Sequence, residues 1–156
     1  MKTVAIVGLG YVGLPLALQF SRSGAKVIGI DIDTSKVEAL KQGRSYIKHI
    51  TPESIQEQFT SGQLIATTEF VLAQGADAVI ICVPTPLNKN REPDISFIVE
   101  TGRALAPHLR SGVLVALESS TYPGTTDEDL RRVLEEGSGL EAGKDFYRIY
   151  KLRAGS

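Results

Sequence analysis

The sequence predicts an α/β fold, a doubly wound, mostly parallel sheet of about six strands with helices on both sides. Short apolar, β-branched runs alternate with segments of helical periodicity along the chain. The first such run ends directly in a glycine-rich turn, and an aspartate closes the second. With 156 residues, 42% hydrophobic and 22% charged, the chain has the length and composition of one soluble globular domain.

Thr3 to Val7 reads as a strand buried on both faces, because five apolar or β-branched residues run without a charge into Gly8. A helix follows, with Leu14, Leu16, Ala17, Leu18 and Phe20 on its apolar side, Pro15 tolerable only in its first turn, and Gly24 placed to end it. Lys26 to Ile32 is the second strand. Thr34 or Ser35 then caps a helix through Val37 and Leu40 to Gly43, and Pro52 opens another near Glu53 to Phe59. Leu64 to Ala66 gives a short strand, Glu69 to Gln74 a short helix, and Asp77 to Val83 a central strand ending in proline. Asp94 caps a helix from Ile95 to Leu109; Val113 to Leu117 is a further strand, followed by a helix from about Thr126 to Glu136 and a last strand near Phe146.

The balance of 17 basic against 18 acidic residues leaves no excess positive charge for nucleic acid or a membrane surface. The single cysteine excludes an intrachain disulfide framework and suits a reducing cytoplasm. Thr3 to Phe20 carries no charge, yet Gly8, Gly10, Gly13 and Pro15 interrupt any export signal or membrane helix there, so a cytoplasmic location is expected. Neither His49 nor His108 has partners at metal-ligand spacing, so no metal is expected.

GLGYVG at Gly8 to Gly13 fits G-x-G-x-x-G, a weak signal alone but a strong one between a buried strand and a helix. The first glycine permits the turn, the second a close approach by pyrophosphate, the third helix–strand packing, and the helix N-terminus favours the anion. Asp31, eighteen residues past Gly13, stands where a carboxylate accepts hydrogen bonds from the adenosine ribose and repels a 2′-phosphate. NAD is therefore expected over NADP, in a Rossmann fold; Lys36 nearby weighs the other way, and Asp33 is a second candidate acid.

Five segments together resemble the UDP-glucose/GDP-mannose dehydrogenase family: GLGYVGLPLA (8–17), GIDID (29–33), SYIKHI (45–50), CVPTPLN (82–88) and ESSTYPGTT (118–126). The last two are the more specific, and the SYIKHI and proline-rich loops are most similar to the UDP-N-acetylglucosamine 6-dehydrogenase branch. The resemblance implies oxidation of a nucleotide sugar's primary alcohol to a carboxylate by two NAD and a cysteine thiohemiacetal, in a cytoplasmic homo-oligomer. It places Gly8, Gly10, Val12 and Gly13 against the pyrophosphate, Tyr11 among the cofactor-binding residues, Asp31 and Lys36 against the adenosine ribose, Thr85 on the dinucleotide, and Thr121 near the nicotinamide and reacting carbon. Glu118 and His49 lie in matched segments without an assigned role.

The family's catalytic cysteine belongs to a glycine-rich segment outside these residues. Cys82, inside an apolar strand, reads instead as a buried structural thiol. The expected organisation is an NAD-binding domain over residues 1–147 and a divergent or truncated tail over 148–156, with the family's central helix and C-terminal substrate domain absent. In that tail Arg148, Lys151 and Arg153 stand where the family continues into Ser-Pro-Glu, although Ile149, Tyr150 and Leu152 can still form an edge strand. The expectation is NAD binding without turnover by these residues alone. Two other readings stay open on sequence, a β-hydroxyacid-dehydrogenase-like enzyme and a non-catalytic NAD-binding or sensing module.

Overall fold

The computed structural model describes residues 2–84, 87, 89–91, 94–119 and 125–152, the last strand and the flanks of the 120–124 segment as backbone. Six parallel strands form one sheet in the order β3-β2-β1-β4-β5-β6: β1 Thr3–Val7, β2 Lys26–Ile30, β3 Leu64–Thr67, β4 Ala78–Ile81, β5 Leu114–Ser119 and β6 Tyr147–Leu152. The order reverses at β1, which pairs with β2 on one side and β4 on the other. Such a reversal opens a crevice at the strands' carboxyl ends, because the connections leave in opposite directions.

Strand alternation divides the core in two. Val4 and Ile6 of β1 pack with Leu14, Ala17 and Leu18 of α1 (Gly13–Arg22), Val37 and Leu40 of α2 (Thr34–Lys41) and Ile55 of α3 (Pro52–Thr60). Ala5 and Val7 face the opposite layer, where Ile98 and Leu105 of α4 (Ser96–Leu105), Leu130 and Leu134 of α5 (Thr125–Ser138) and Phe146 are buried. A strand covered on both faces must be apolar at every position, which is why TVAIV lacks polar alternation.

Several boundaries differ from expectation for identifiable reasons. Asp33, rather than Thr34 or Ser35, caps α2: its Oδ1 accepts from the Ser35 N–H at 2.9 Å and the Ser35 hydroxyl at 2.6 Å. That contact holds the Asp33 carboxyl below the ordinary carboxylate range, first through the Ser35 hydroxyl. The helix expected to reach Leu109 stops at Leu105 and tightens into a 3₁₀ turn over Ala106–His108, since Pro107 has no N–H with which to continue an α-helix. Asp94 accepts from the Ser96 N–H at 3.0 Å, although Ile95 holds the cap position itself. The 69–74 segment is likewise a 3₁₀ turn, Phe70–Gly75. Strand β2 ends at Ile30, and the chain then bends so that Asp31 turns toward the glycine loop.

The alternating tail does extend the sheet, with β6 parallel to β5 from Leu114↔Tyr147 to Ser119↔Leu152. Among the described residues no helix is long and apolar enough to cross a membrane, and no cluster of three metal-ligating side chains occurs.

Candidate functional site

A cleft of about 520 Å³ lies over the carboxyl ends of β1, β2, β4 and β5. The glycine loop forms one wall, Ile30 to Asp33 the next, and Cys82 to Pro84 with Glu118 the far side.

Each glycine of the loop has its own physical reason. Gly8 turns the chain at φ +98°, and a Cβ there would lie 2.7 Å from the Cys82 carbonyl oxygen. Gly13 is where α1 meets β1 so closely that a Cβ would stand 1.6 Å from the Gly8 carbonyl oxygen. Gly10 differs, because a Cβ would meet nothing nearer than Lys36 Nζ at 4.0 Å. The protein's own packing thus demands glycine at positions 8 and 13 and leaves open room at 10.

That room has electrostatic character. α1 starts without a side-chain cap at Val12 and without an acidic residue in its first turn. Among the described residues no acceptor meets the N–H groups of Gly10, Tyr11, Val12 and Gly13. Uncapped N–H groups at a helix start carry partial positive charge and take phosphate oxygens readily. Val12 is half-buried beside them, and the Tyr11 side chain stands out at the cleft's edge, 77% exposed.

Asp31 is held at the cleft by two N–H donors, Leu9 to Oδ2 at 2.8 Å and Asp33 to Oδ1 at 2.9 Å. A carboxylate offers about four acceptor positions, so capacity remains for two ribose hydroxyls. Asp33, the second candidate acid, is engaged as the cap of α2 instead. Lys36, on that helix, reaches back over the loop beside Gly10 and 5.9 Å from the Tyr46 ring centroid. Ile32, 74% exposed, together with Phe70 and Phe97 supplies an apolar wall suited to a flat ring.

The structure therefore brings Gly8 to Val12, Asp31 and Lys36 to one cleft, with Gly13 buried behind the loop at the head of α1; Thr85 and Thr121 lie outside the described residues. Cys82 is 8% exposed, packed under the glycine loop as an interior thiol. Glu118 lines the cleft, whereas His49 is exposed and absent from its lining. His108 sits in the 3₁₀ turn after α4, away from the cleft lining. Sequence reasoning missed Phe70, Phe97 and Tyr46, since aromatic residues in a turn, a helix and a loop give no local sign of sharing one site. Ile32 left a trace, as an apolar residue between two aspartates, although the sequence counts it as the last residue of the second strand.

A parallel sheet reversing at β1, a glycine loop feeding an uncapped helix and an acid at the end of β2 define a dinucleotide-binding Rossmann domain. Residues 2–151 match the model of the UDP-glucose/GDP-mannose dehydrogenase family, NAD binding domain, and the chain belongs to that family. It is 36% identical over 147 residues to a UDP-N-acetyl-D-glucosamine 6-dehydrogenase of Pseudomonas aeruginosa, covering 94% of this chain and 34% of that protein. It is 39% identical to a UDP-N-acetyl-D-mannosamine dehydrogenase of Pyrococcus horikoshii, covering 92% of this chain and 34% of that one. The solved structure of a UDP-D-ManNAc dehydrogenase from Pyrococcus horikoshii superposes with a TM-score of 0.91 at 34% identity, over 99% of this chain and 37% of that chain. The chain spans about a third of the length of the curated relatives it matches.

Proposed function

We propose that this chain holds NAD through the glycine loop and Asp31, as the cofactor half of an enzyme that oxidises C6 of a UDP-N-acetylhexosamine to the carboxylate. UDP-N-acetylglucosamine is the first candidate substrate, and two NAD are consumed per sugar. The observation that carries this reading is the open room at Gly10, which no packing within the protein requires, at the head of a helix where the N–H groups of residues 10–13 meet no acceptor among the described residues. The names of the relatives support the sugar class.

NAD supplies the hydride acceptor. The chain's own part is to neutralise the pyrophosphate at the start of α1, to accept the adenosine ribose hydroxyls on Asp31 with Lys36 alongside, and to cover the adenine with Ile32, Phe70 and Phe97. In this proposal Thr85 touches the dinucleotide and Thr121 lies near the reacting carbon. The cofactor domain is taken over residues 1–147, with β6 carrying its sheet into the 148–156 tail, and the sugar site is completed by a central helix and substrate domain outside these 156 residues. A cytoplasmic setting fits a chain whose one cysteine is buried.

Titrating NAD and NADP into the protein tests the ribose contact. NAD is expected to bind more tightly, and Asp31→Ala to weaken it about tenfold or more, as for a lost hydrogen bond to a charged group. Tighter binding of NADP, or unchanged affinity in the variant, overturns the assignment of Asp31. Mixing the protein with NAD and UDP-N-acetylglucosamine should give no rise in absorbance from reduced cofactor, because Cys82 is not an accessible thiol. The complete enzyme should oxidise N-acetylated UDP-sugars in preference to UDP-glucose.

A further inference from the structure

The Leu9 backbone is fixed from both sides. Its N–H donates to Asp31 Oδ2 at 2.8 Å, and its carbonyl accepts the Tyr46 hydroxyl at 2.5 Å from the loop between α2 and α3. Its side chain is 1% exposed and fills the space beside Gly29, where a Cβ would come within 3.1 Å of both Leu9 methyl groups.

The position of this carbonyl matters for the helix start. The first hydrogen bond of the α1 ladder runs from the Leu14 N–H to the Gly10 carbonyl at 3.1 Å. One residue earlier, the corresponding bond would join the Gly13 N–H to the Leu9 carbonyl, and it is not made among the described residues. The Tyr46 hydroxyl meets that oxygen instead. Because the peptide group is planar and trans, turning the Leu9 carbonyl toward Tyr46 also turns the Gly10 N–H the opposite way.

We propose that Tyr46 is a positioning residue for the dinucleotide: by holding the Leu9–Gly10 peptide it keeps the Gly10 N–H turned to the pyrophosphate. This rests on the glycine loop being the pyrophosphate seat. Burial first, then the negative charges of Asp31 and Asp33, keep the Tyr46 phenol protonated well above the usual tyrosine range, so it remains a donor wherever the domain is folded near neutrality. The ring packs on the α1–α3 side of the core and lies beside Lys36, so the tyrosine joins the loop to the layer beneath it.

Tyr46→Phe keeps the ring and removes only the hydroxyl. Calorimetric titration should show NAD binding weakened about three- to tenfold, the size of one lost neutral hydrogen bond. Adenosine, followed by NMR titration, carries no phosphate and should bind to the variant as it does to the parent. Unchanged NAD affinity in Tyr46→Phe overturns the proposal, as does an equal loss for adenosine, which marks a general structural role. Gly10→Ala separates the two readings, since its Cβ enters open space and the fold should survive. If Gly10→Ala impairs NAD binding and Tyr46→Phe does not, only the role of Tyr46 falls; if Gly10→Ala binds NAD normally, the pyrophosphate seat falls and the role of Tyr46 with it.

Discussion

Two glycines of one loop, three residues apart, answer to different demands. At Gly13 a methyl group would overlap the Gly8 carbonyl, so Gly13→Ala should force α1 away from β1 and destabilise the fold by about 3 kcal/mol or more, read as a fall in the urea midpoint. At Gly10 the same change meets open space, so thermal stability should be close to that of the parent while NAD binding is impaired. Equal destabilisation of the two variants would show that position 10 is structural after all. The motif G-x-G-x-x-G announces both glycines with the same letter. Which one serves the ligand emerges only when the surroundings of each Cβ are measured.

Helix starts show the same division between packing and function. α3 opens conventionally: the Thr51 hydroxyl accepts the Ser54 N–H at 3.2 Å, and Pro52 stands in the first turn. Thr51→Ala should therefore cost about 1 kcal/mol of stability. α2 is capped by Asp33, whose folded-state carboxyl is held below its ordinary value of 3.8. The sign follows directly: the folded state binds this proton more weakly, so the cap's contribution is present above the unfolded value and is lost as pH falls through the lowered one. Unfolding curves at successive acid pH values should be shallower in pH for Asp33→Asn, which keeps a capping oxygen without a titrating charge; an identical acid dependence would remove Asp33 from the acid response. α1 alone of these three lacks a side-chain cap, although the starts of both α1 and α2 border the cleft. Its start was legible from the sequence, because the glycines and Pro15 restrict where a helix can begin. The move of the α2 cap to Asp33 was not, since Asp33, Thr34 and Ser35 are all good capping residues and only the bend after Ile30 selects among them.

At the scale of the whole molecule, the sheet separates two cores that are completed by distant parts of the chain. The α1–α3 side is closed within the first 82 residues, whereas the α4–α5 side needs Phe146, fully buried, from immediately before the last strand. Phe146→Ala should cost about 3–5 kcal/mol, because it empties a fully buried ring's volume in the core that α4 and α5 share. Chemical denaturation checks this; a loss under about 1 kcal/mol, the size expected of a surface substitution, would mean that the segment adds little to the fold. The same geometry explains why the cleft survives in a chain spanning about a third of its relatives' length. Every described residue lining it comes from the strand ends and loops of this one sheet or from the α2 and α4 helices packed on it.

The sequence by itself determined the alternation of strands and helices, the glycine loop, Asp31 as the acid closing the second strand and the likeness to one dehydrogenase family. All of these are written in local spacing and in short-range patterns of apolar residues. Tertiary structure decided what local spacing cannot carry: that Asp31 bends back to the Leu9 N–H while Asp33 is taken by α2, that Ile32, Phe70 and Phe97 form one wall, and that Tyr46 reaches the Leu9 carbonyl from 37 residues away. A hydrogen bond or a shared pocket depends on positions in space, and the sheet sets those positions only once its strands have paired.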